Sequence, residues 1–166
     1  ALFRDKNIGE HYIAYFQAYT NTYAPVEYLR SIYTEALSHP DVCGISIATR
    51  PDCLGKDVLD LLDELQGAFS DKFIWIELGL QTIHEETAEY IRRGYPLSCF
   101  EKAVESLSSR DIPYIVHVIL GLPGETPHMI YETIQYLNAL HPFGIKLQLL
   151  HILDGTDLAT EYRNGN

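Results

Sequence analysis

Apolar segments of strand character alternate with amphipathic segments of helical period along the whole chain. The predicted strands are short runs rich in β-branched, aromatic and aliphatic residues, at 12–19, 42–50, 72–81, 114–121 and 144–152. The predicted helices occupy 25–39, 56–69, 85–111 (in two stretches) and 126–140. The helix at 56–69 shows the pattern well, because acidic residues lie opposite an apolar stripe formed by Val58, Leu61, Leu62 and Leu65.

The spacing of these elements limits the possible folds. Strands recur about every thirty residues, which is the period of a βαβ unit, and near-continuous apolar strands indicate a parallel sheet covered by helices. A complete (β/α)8 barrel takes about 250 residues, so a chain of 166 residues cannot close one. A doubly wound open sheet and a partial barrel both remain, each as a single domain over 1–166.

The polar residues of each strand fall on one of its two faces, because side chains alternate along a strand. Glu77 and Gln81 share a face, and His117, Lys146 and Arg50 lie on the polar faces of three other strands. Burying such groups costs several kcal/mol unless they are paired or meet a ligand. The pattern favours a concave ligand site that opens at the strand C-termini. The alternative is an internal ion-pair network of Glu77 with Arg50 or Lys146.

The composition limits the kinds of partner that this chain is expected to bind. The formal net charge is −11, so this surface alone is a poor match for nucleic acid, which needs a concentrated basic footprint. No apolar run is long enough to span a bilayer, and no membrane partner is expected. Cys43, Cys53 and Cys99 are widely spaced and odd in number, which predicts reduced thiols in a cytoplasmic protein. The chain lacks an initiator methionine and is expected to be a fragment.

Four segments carry a resemblance to a known family. ELGLQTIHEETAEYIRRG (77–94) and VHVILGLPGET (116–126) resemble the core of the radical S-adenosylmethionine (SAM) enzymes. With YFQAYTNTYAP (15–25) and TRPDCL (49–54), the chain resembles a family of uncharacterised radical SAM proteins. That family is related to the radical SAM domains of tRNA-modifying enzymes and of oxygen-independent coproporphyrinogen III oxidase. The resemblance covers essentially the whole chain.

The resemblance implies an α/β fold, a partial (β/α)6 TIM-like barrel of which strands 2–6 are present. It implies two cofactors, SAM and a 4Fe-4S cluster that three cysteines spaced C-x3-C-x2-C would hold. Reductive cleavage of SAM at the cluster would yield methionine and a 5′-deoxyadenosyl radical. No C-x3-C-x2-C occurs in this sequence, so no metal ligand is assigned and the fragment by itself is expected to be inactive.

The resemblance also assigns residues to SAM. Gln81 would meet the ribose hydroxyls, His117 would point towards the ribose, and Arg93 or its neighbour Arg92 would pair with the carboxylate. Residues 119–125 would pack on the adenine, and 151–153 would offer it backbone groups. With the polar-face residues and the segment after the first strand, the candidate cofactor-binding residues are Gln17, Thr20, Arg50, Glu77, Gln81, Arg93, His117, Gly121, Leu122, Pro123, His151 and Leu153.

Other functions stay open at this point. A class I aldolase-type barrel would use Lys146 as a Schiff base with Glu77 as proton shuttle, and a metallohydrolase would use Glu77, His117 and His151. A non-catalytic binding module would reuse the barrel without a cluster. Catalytic residues stay unassigned. For the substrate, tRNA reached through regions outside this chain is favoured over a tetrapyrrole. Self-association is expected through the exposed edge strand at 12–19.

Overall fold

Five parallel strands build the fold in the computed structural model, which describes residues 11–165. They form one sheet in the sequence order β1-β2-β3-β4-β5. The strands are Tyr12–Phe16 (β1), Val42–Thr49 (β2), Phe73–Gln81 (β3), Tyr114–Leu120 (β4) and Gly144–Leu149 (β5). The order never reverses, so the doubly wound alternative is wrong and the predicted partial barrel is confirmed: the sheet curls into a half-barrel flanked by helices.

Within residues 11–165, six helices connect and follow the strands. They are Val26–Ser38 (α1), Lys56–Ala68 (α2), Glu85–Tyr90 (α3), Leu97–Ser108 (α4), Pro127–Leu140 (α5) and Asp157–Arg163 (α6), with a 3-10 turn at Pro51–Cys53. The predicted helical region 85–111 is two helices because Arg92 adopts a left-handed conformation with φ 56°, and Pro96 cannot continue a helix. The short α6 was not predicted, although Thr156 and Asp157 form a helix-start signal.

The core lies between the outer face of the sheet and the helices. Alternate strand residues are fully buried there, among them Ile45, Ile47, Ile74, Ile76 and Val116. Helical side chains such as Leu61 and Phe100 pack against them. Since this packing satisfies only one face of each strand, the polar face is left on the concave side of the half-barrel.

The first strand is shorter than predicted and lies at an edge of the sheet. It ends at Phe16, and Tyr19 in the following segment has φ 62°, which a continuing strand does not allow. Tyr12 and Ile13 are exposed, so the edge is available, and self-association through it stays a prediction. Among the described residues, no helix is long and apolar enough to cross a membrane.

Candidate functional site

A cleft of about 750 Å³ opens at the C-terminal ends of β3, β4 and β5. This volume suits a nucleoside-sized ligand. One wall comes from the end of β3 and the segment around α3, and the opposite wall comes from the segment that begins α6. The lining residues are Arg50, Gln81, Tyr90, Ile91, Arg92, Arg93, Tyr95, Ile119, Leu122, Leu150, Thr156, Asp157, Leu158 and Glu161. Four of the predicted residues therefore meet at one cleft: Arg50, Gln81, Arg93 and Leu122.

Gln81 enters this cleft from an irregular strand end. The register between β3 and β4 shifts between Gly79 and Gln81, and Gln81 has φ 71°. A left-handed conformation costs a residue with a Cβ about 1–2 kcal/mol, and such strain clusters at binding sites. Arg92, on the same cleft, is also left-handed. Two residues with a left-handed backbone conformation thus line one cavity.

The amide of Gln81 is shaped to receive a ligand. Its Oε1 atom is buried and has no hydrogen-bond partner among the described residues, although buried acceptors are nearly always paired. A Cβ on Gly79 would lie 2.9 Å from Gln81 Nε2 and 3.1 Å from Tyr95 Oη, so glycine leaves the space that this amide occupies. A ribose hydroxyl donating to Oε1 would complete the pairing. The residues present therefore fit the nucleoside part of SAM.

Two guanidinium groups stand at the open side of the cleft. Arg50 makes a bidentate pair with Asp52 at 2.9 and 2.7 Å, and its guanidinium lies over the Tyr95 ring, 5.1 Å from the centroid. Arg92 bonds to Asp157 at 2.6 Å with a side chain that is 80% exposed. Both can exchange a protein carboxylate for a ligand carboxylate, since exposed ion pairs contribute about 0–1 kcal/mol.

A second polar group lies deeper on the concave face, with one side chain from each strand. Glu77 accepts hydrogen bonds from Tyr15 Oη (2.8 Å), Ser46 Oγ (2.6 Å), His117 Nε2 (2.6 Å) and Lys146 Nζ (3.1 Å). Burial would raise the pKa of Glu77, but these bonds outweigh it and lower the pKa to about 2. The ion-pair network that the sequence offered as the alternative to a ligand site thus forms between Glu77 and Lys146. Arg50 pairs with Asp52 instead.

The ionised Glu77 determines the state of His117. A carboxylate only accepts hydrogen bonds, so His117 Nε2 carries the proton. Burial lowers the pKa of His117 despite the nearby carboxylate, which keeps the ring neutral at pH 7 and its Nδ1 unprotonated. No described residue hydrogen-bonds Nδ1, and this nitrogen is not among the buried unpartnered atoms. His117 therefore holds an available acceptor on the concave face.

Lys146 does not have the properties of a Schiff-base lysine. Burial would lower its pKa, but hydrogen bonds to Tyr15 (2.7 Å) and Glu77 (3.1 Å) outweigh this and raise the pKa. A nucleophilic amine needs the opposite shift. The geometry of Lys146 therefore gives the aldolase alternative no support.

The other predicted SAM residues lie outside the cleft lining. Gln17 is exposed and Thr20 is half-buried, in the segment after β1 at the opposite edge of the sheet. Gly121 and Pro123 belong to the turn after β4, where Gly121 has φ 84°. His151 and Leu153 are exposed beyond β5. Their roles as SAM ligands stay predictions.

No metal centre is formed by the part of the chain that the structure describes. Its His, Cys, Asp and Glu side chains include no group of three or more that could hold a metal ion. Cys43, Cys53 and Cys99 are free thiols, and the proposed set of Glu77, His117 and His151 does not assemble. The described residues therefore do not fit a 4Fe-4S cluster.

Sequence reasoning missed the opposing wall of the cleft. Asp157 and Glu161, both on α6, contact Arg92 and Tyr90 across more than sixty residues of sequence. Tyr95 was missed as well: its ring centroid lies 5.1 Å from the guanidinium carbon of Arg50 and 5.1 Å from that of Arg93. The capping signal at 156–157 identifies the helix, but nothing local indicates where α6 docks.

Comparison with known proteins identifies the family. A model described as "Radical SAM superfamily" matches residues 2–137, so the chain belongs to the radical SAM superfamily. Over 154 residues it is 48% identical to Uncharacterized protein YtqA of Bacillus subtilis (strain 168), covering 93% of this chain and 47% of the relative. It is 39% identical over 159 residues to Protein YhcC of Escherichia coli (strain K12), with 96% and 51% covered. The chain spans about half the length of both relatives.

A more distant relative carries an assigned activity. The tRNA uridine(34) acetyltransferase of Methanocaldococcus jannaschii is 27% identical over 124 residues, which cover 73% of this chain and 22% of the relative. Solved structures agree in fold. The archaeal Methanocaldococcus infernus Elp3 matches with a TM-score of 0.76 at 18% identity, covering 94% and 41% of the two chains. Coproporphyrinogen III oxidase (HemN) from Escherichia coli matches with a TM-score of 0.67 at 19% identity, covering 86% and 32%.

Proposed function

We propose that this chain is the SAM-binding core of a radical SAM enzyme. The observation that carries the proposal is the buried amide oxygen of Gln81, which has no hydrogen-bond partner among the described residues. Gln81 lines a cleft of about 750 Å³ in a chain of the radical SAM superfamily. A 4Fe-4S cluster bound to the intact protein would supply the electron for SAM cleavage. The residues described here bind and orient the nucleoside.

Each part of the cleft suits one part of SAM. Gln81 Oε1 accepts from a ribose hydroxyl, and the Gly79 backbone leaves room for its amide. Ile119, Leu122 and Leu150 offer an apolar surface for the adenine. The guanidinium groups at the open side match the carboxylate of the methionine moiety.

In this proposal the cleft holds SAM, and the Glu77 network on the concave face contacts the substrate. In the half-barrel, Glu77 precedes Gln81 by four strand residues, about 13 Å along β3. A substrate that enters the concave face from the open side meets His117 Nδ1 as an acceptor and Lys146 as a cation. Both groups can orient a polar substrate, and His117 Nδ1 can accept a proton from it.

We infer that the substrate is tRNA. The support is the sequence relative described as a tRNA uridine(34) acetyltransferase, while the net charge of −11 means that the main RNA contacts would come from other parts of the intact protein. A tetrapyrrole substrate is the second candidate, and it rests on a likeness of fold to HemN alone. A cytoplasmic location, which suits three free thiols, belongs to the same proposal.

The test is SAM cleavage by the full-length protein. The protein is purified anaerobically, its cluster is reconstituted, and 5′-deoxyadenosine is quantified after addition of SAM and dithionite. We expect 5′-deoxyadenosine from the wild type and a loss of at least tenfold in Gln81→Ala. A reconstituted protein that forms none would leave the non-catalytic binding module as the better description. Comparison of tRNA nucleosides from a deletion strain with the parent then tests the substrate: an unchanged profile would contradict tRNA.

A further inference from the structure

Arg93 is a buried member of the cleft lining, and its guanidinium is almost saturated with hydrogen bonds. Its side chain is 2% exposed. Nη1 donates to the carbonyl oxygens of Leu80 (3.2 Å) and Thr82 (2.7 Å), Nε donates to Tyr95 O (2.9 Å), and Nη2 donates to Glu85 Oε2 (3.1 Å). A guanidinium has five N–H groups, so a single one remains. Bidentate pairing with a ligand carboxylate needs two on one edge.

Two of these bonds end on the carbonyl groups of the residues on either side of Gln81, Leu80 and Thr82. The register shift between Gly79 and Gln81 takes Leu80 out of the regular ladder between β3 and β4. Buried carbonyl groups without a ladder partner need another donor, and Arg93 Nη1 supplies it to both flanking residues. The two hydrogen bonds from Nη1 thereby hold the backbone of Gln81 in its left-handed conformation.

Arg93 is itself fixed by the end of α3. Its backbone N–H donates to Ala88 O and that of Arg92 donates to Glu89 O, both at 2.9 Å, which is the bonding pattern of a Schellman helix end. The Glu85 carboxylate that holds Nη2 also accepts from the backbone N–H of Leu97 at 2.5 Å. The guanidinium therefore connects α3, the start of α4 and the end of β3 in one rigid unit.

We propose that Arg93 is a positioning residue: it holds Gln81 in the strained backbone conformation that aims its amide into the cleft, and it does not bind the SAM carboxylate. The inference rests on the proposed function for the identity of the ligand, and on the contacts of Arg93 for the role. It differs from the role that the sequence resemblance predicts for Arg93.

Ligand binding separates the two roles. Dissociation constants for SAM and for 5′-methylthioadenosine, which keeps the ribose and lacks the carboxylate, are measured by calorimetry with the reconstituted full-length protein. A positioning role predicts that Arg93→Gln weakens both ligands by the same factor, about tenfold for one lost hydrogen bond. It also predicts no further loss in a Gln81→Ala background. Weaker SAM binding with unchanged 5′-methylthioadenosine binding would overturn the proposal.

The conservative variant sharpens the comparison. Arg93→Lys keeps the charge, so a carboxylate contact would largely survive, but an ammonium cannot reproduce the planar fork that reaches two carbonyl groups and Tyr95 O. We expect Arg93→Lys to lose 5′-methylthioadenosine affinity nearly as much as Arg93→Gln. Arg110→Gln is the matched control, because Arg110 pairs with Asp60 and Asp63 far from the cleft. Unchanged nucleoside affinity in Arg93→Lys would contradict the proposal.

A measurement without ligand keeps this inference separate from the proposed function. In NMR spectra of the wild type, the positive φ of Gln81 gives a strong cross-peak between its own amide and Hα protons. Arg93→Lys should weaken this cross-peak while Arg110→Gln leaves it intact. A cross-peak of full strength in Arg93→Lys would overturn the positioning role even if the protein bound no SAM. Conversely, its loss would support that role even if the proposed function failed.

Discussion

Replacing Glu77 with glutamine tests whether one carboxylate stabilises the half-barrel by joining its five strands. Glu77→Gln keeps the size of the side chain and removes the charge to which Tyr15, His117 and Lys146 donate hydrogen bonds. Because the carboxylate is only 8% exposed, water cannot replace the lost interactions. We therefore expect the variant to fold with a clearly lower free energy of unfolding.

The size of the effect follows from the pKa of Glu77. It falls from 4.5 to about 2 because four hydrogen bonds outweigh the effect of burial. At about 1.4 kcal/mol per pH unit, this difference corresponds to ~3 kcal/mol favouring the ionised form in the folded protein. A folded-state pKa below the ordinary value stabilises the protein above pH 4.5, and this contribution disappears as the pH falls towards 2.

The assay is urea unfolding followed by tryptophan fluorescence. Trp75 is the single tryptophan of the chain, and its ring stacks on Phe73 with centroids 4.5 Å apart, so it reports on the same strand as Glu77. We expect Glu77→Gln to lose about 3 kcal/mol at pH 7. We expect its difference from the wild type to shrink as the pH falls from 4.5 towards 2. Glu64→Gln is the control, since its exposed pair with Arg30 contributes at most about 1 kcal/mol.

Two results would refute this reasoning. The first is a loss below 1 kcal/mol at pH 7, which would mean that the donors around Glu77 find water or other partners at little cost. The second is a loss that is the same at pH 7 and pH 3, since this would separate the destabilisation from the charge of Glu77. Either outcome would mean that the Glu77 carboxylate does not stabilise the half-barrel by joining its strands.

Three further predictions concern the cleft, the concave face and a helix end. Gly79→Ala places a Cβ 2.9 Å from Gln81 Nε2 and should weaken 5′-methylthioadenosine binding at least tenfold, with unchanged affinity as the contrary result in calorimetry. His117, whose pKa is lowered by burial, should show the neutral Nε2–H tautomer in 15N NMR at pH 6.5; an imidazolium signal would refute the assignment. Thr126→Ala removes the cap on Met129 N and should lower the free energy of unfolding by about 1 kcal/mol; an unchanged urea midpoint would count against it.

The residues that share the concave face are predictable because strand alternation is local. In a regular strand, side chains two positions apart point the same way. Alternation alone therefore predicts a shared face of β3 for Glu77 and Gln81. Sequential parallel strands then bring His117 and Lys146 beside them, as the register pair of these two residues shows. The resemblance of residues 77–94 and 116–126 to radical SAM proteins also lay in the sequence, and the family match agrees with it.

The separation of these polar residues into two groups came only from the tertiary structure. Alternation places Gln81 with Glu77, but the register shift after Gly79 turns Gln81 into the cleft, and a bulge depends on the neighbouring strand. The sequence also left the partners of Glu77 open. Arg50 directly follows the neighbouring strand β2, and it bonds to Asp52 two residues away. Arg50 thus pairs with the carboxylate of Asp52 in the adjacent short turn and not with the buried carboxylate of Glu77.

The sequence by itself determined the α/β pattern, the parallel direction of the strands and the side chains of their polar faces, since these follow from the period of the apolar positions. The tertiary structure alone decided the sequential strand order, where α6 docks against the region of α3 and which atoms Arg93 holds. It also decided that Gln81 Oε1 has no hydrogen-bond partner among the described residues. Those features depend on contacts between residues far apart in the chain or on the strain of one peptide. Neither leaves a periodic signal, because long-range contacts and backbone strain are resolved only when the elements pack.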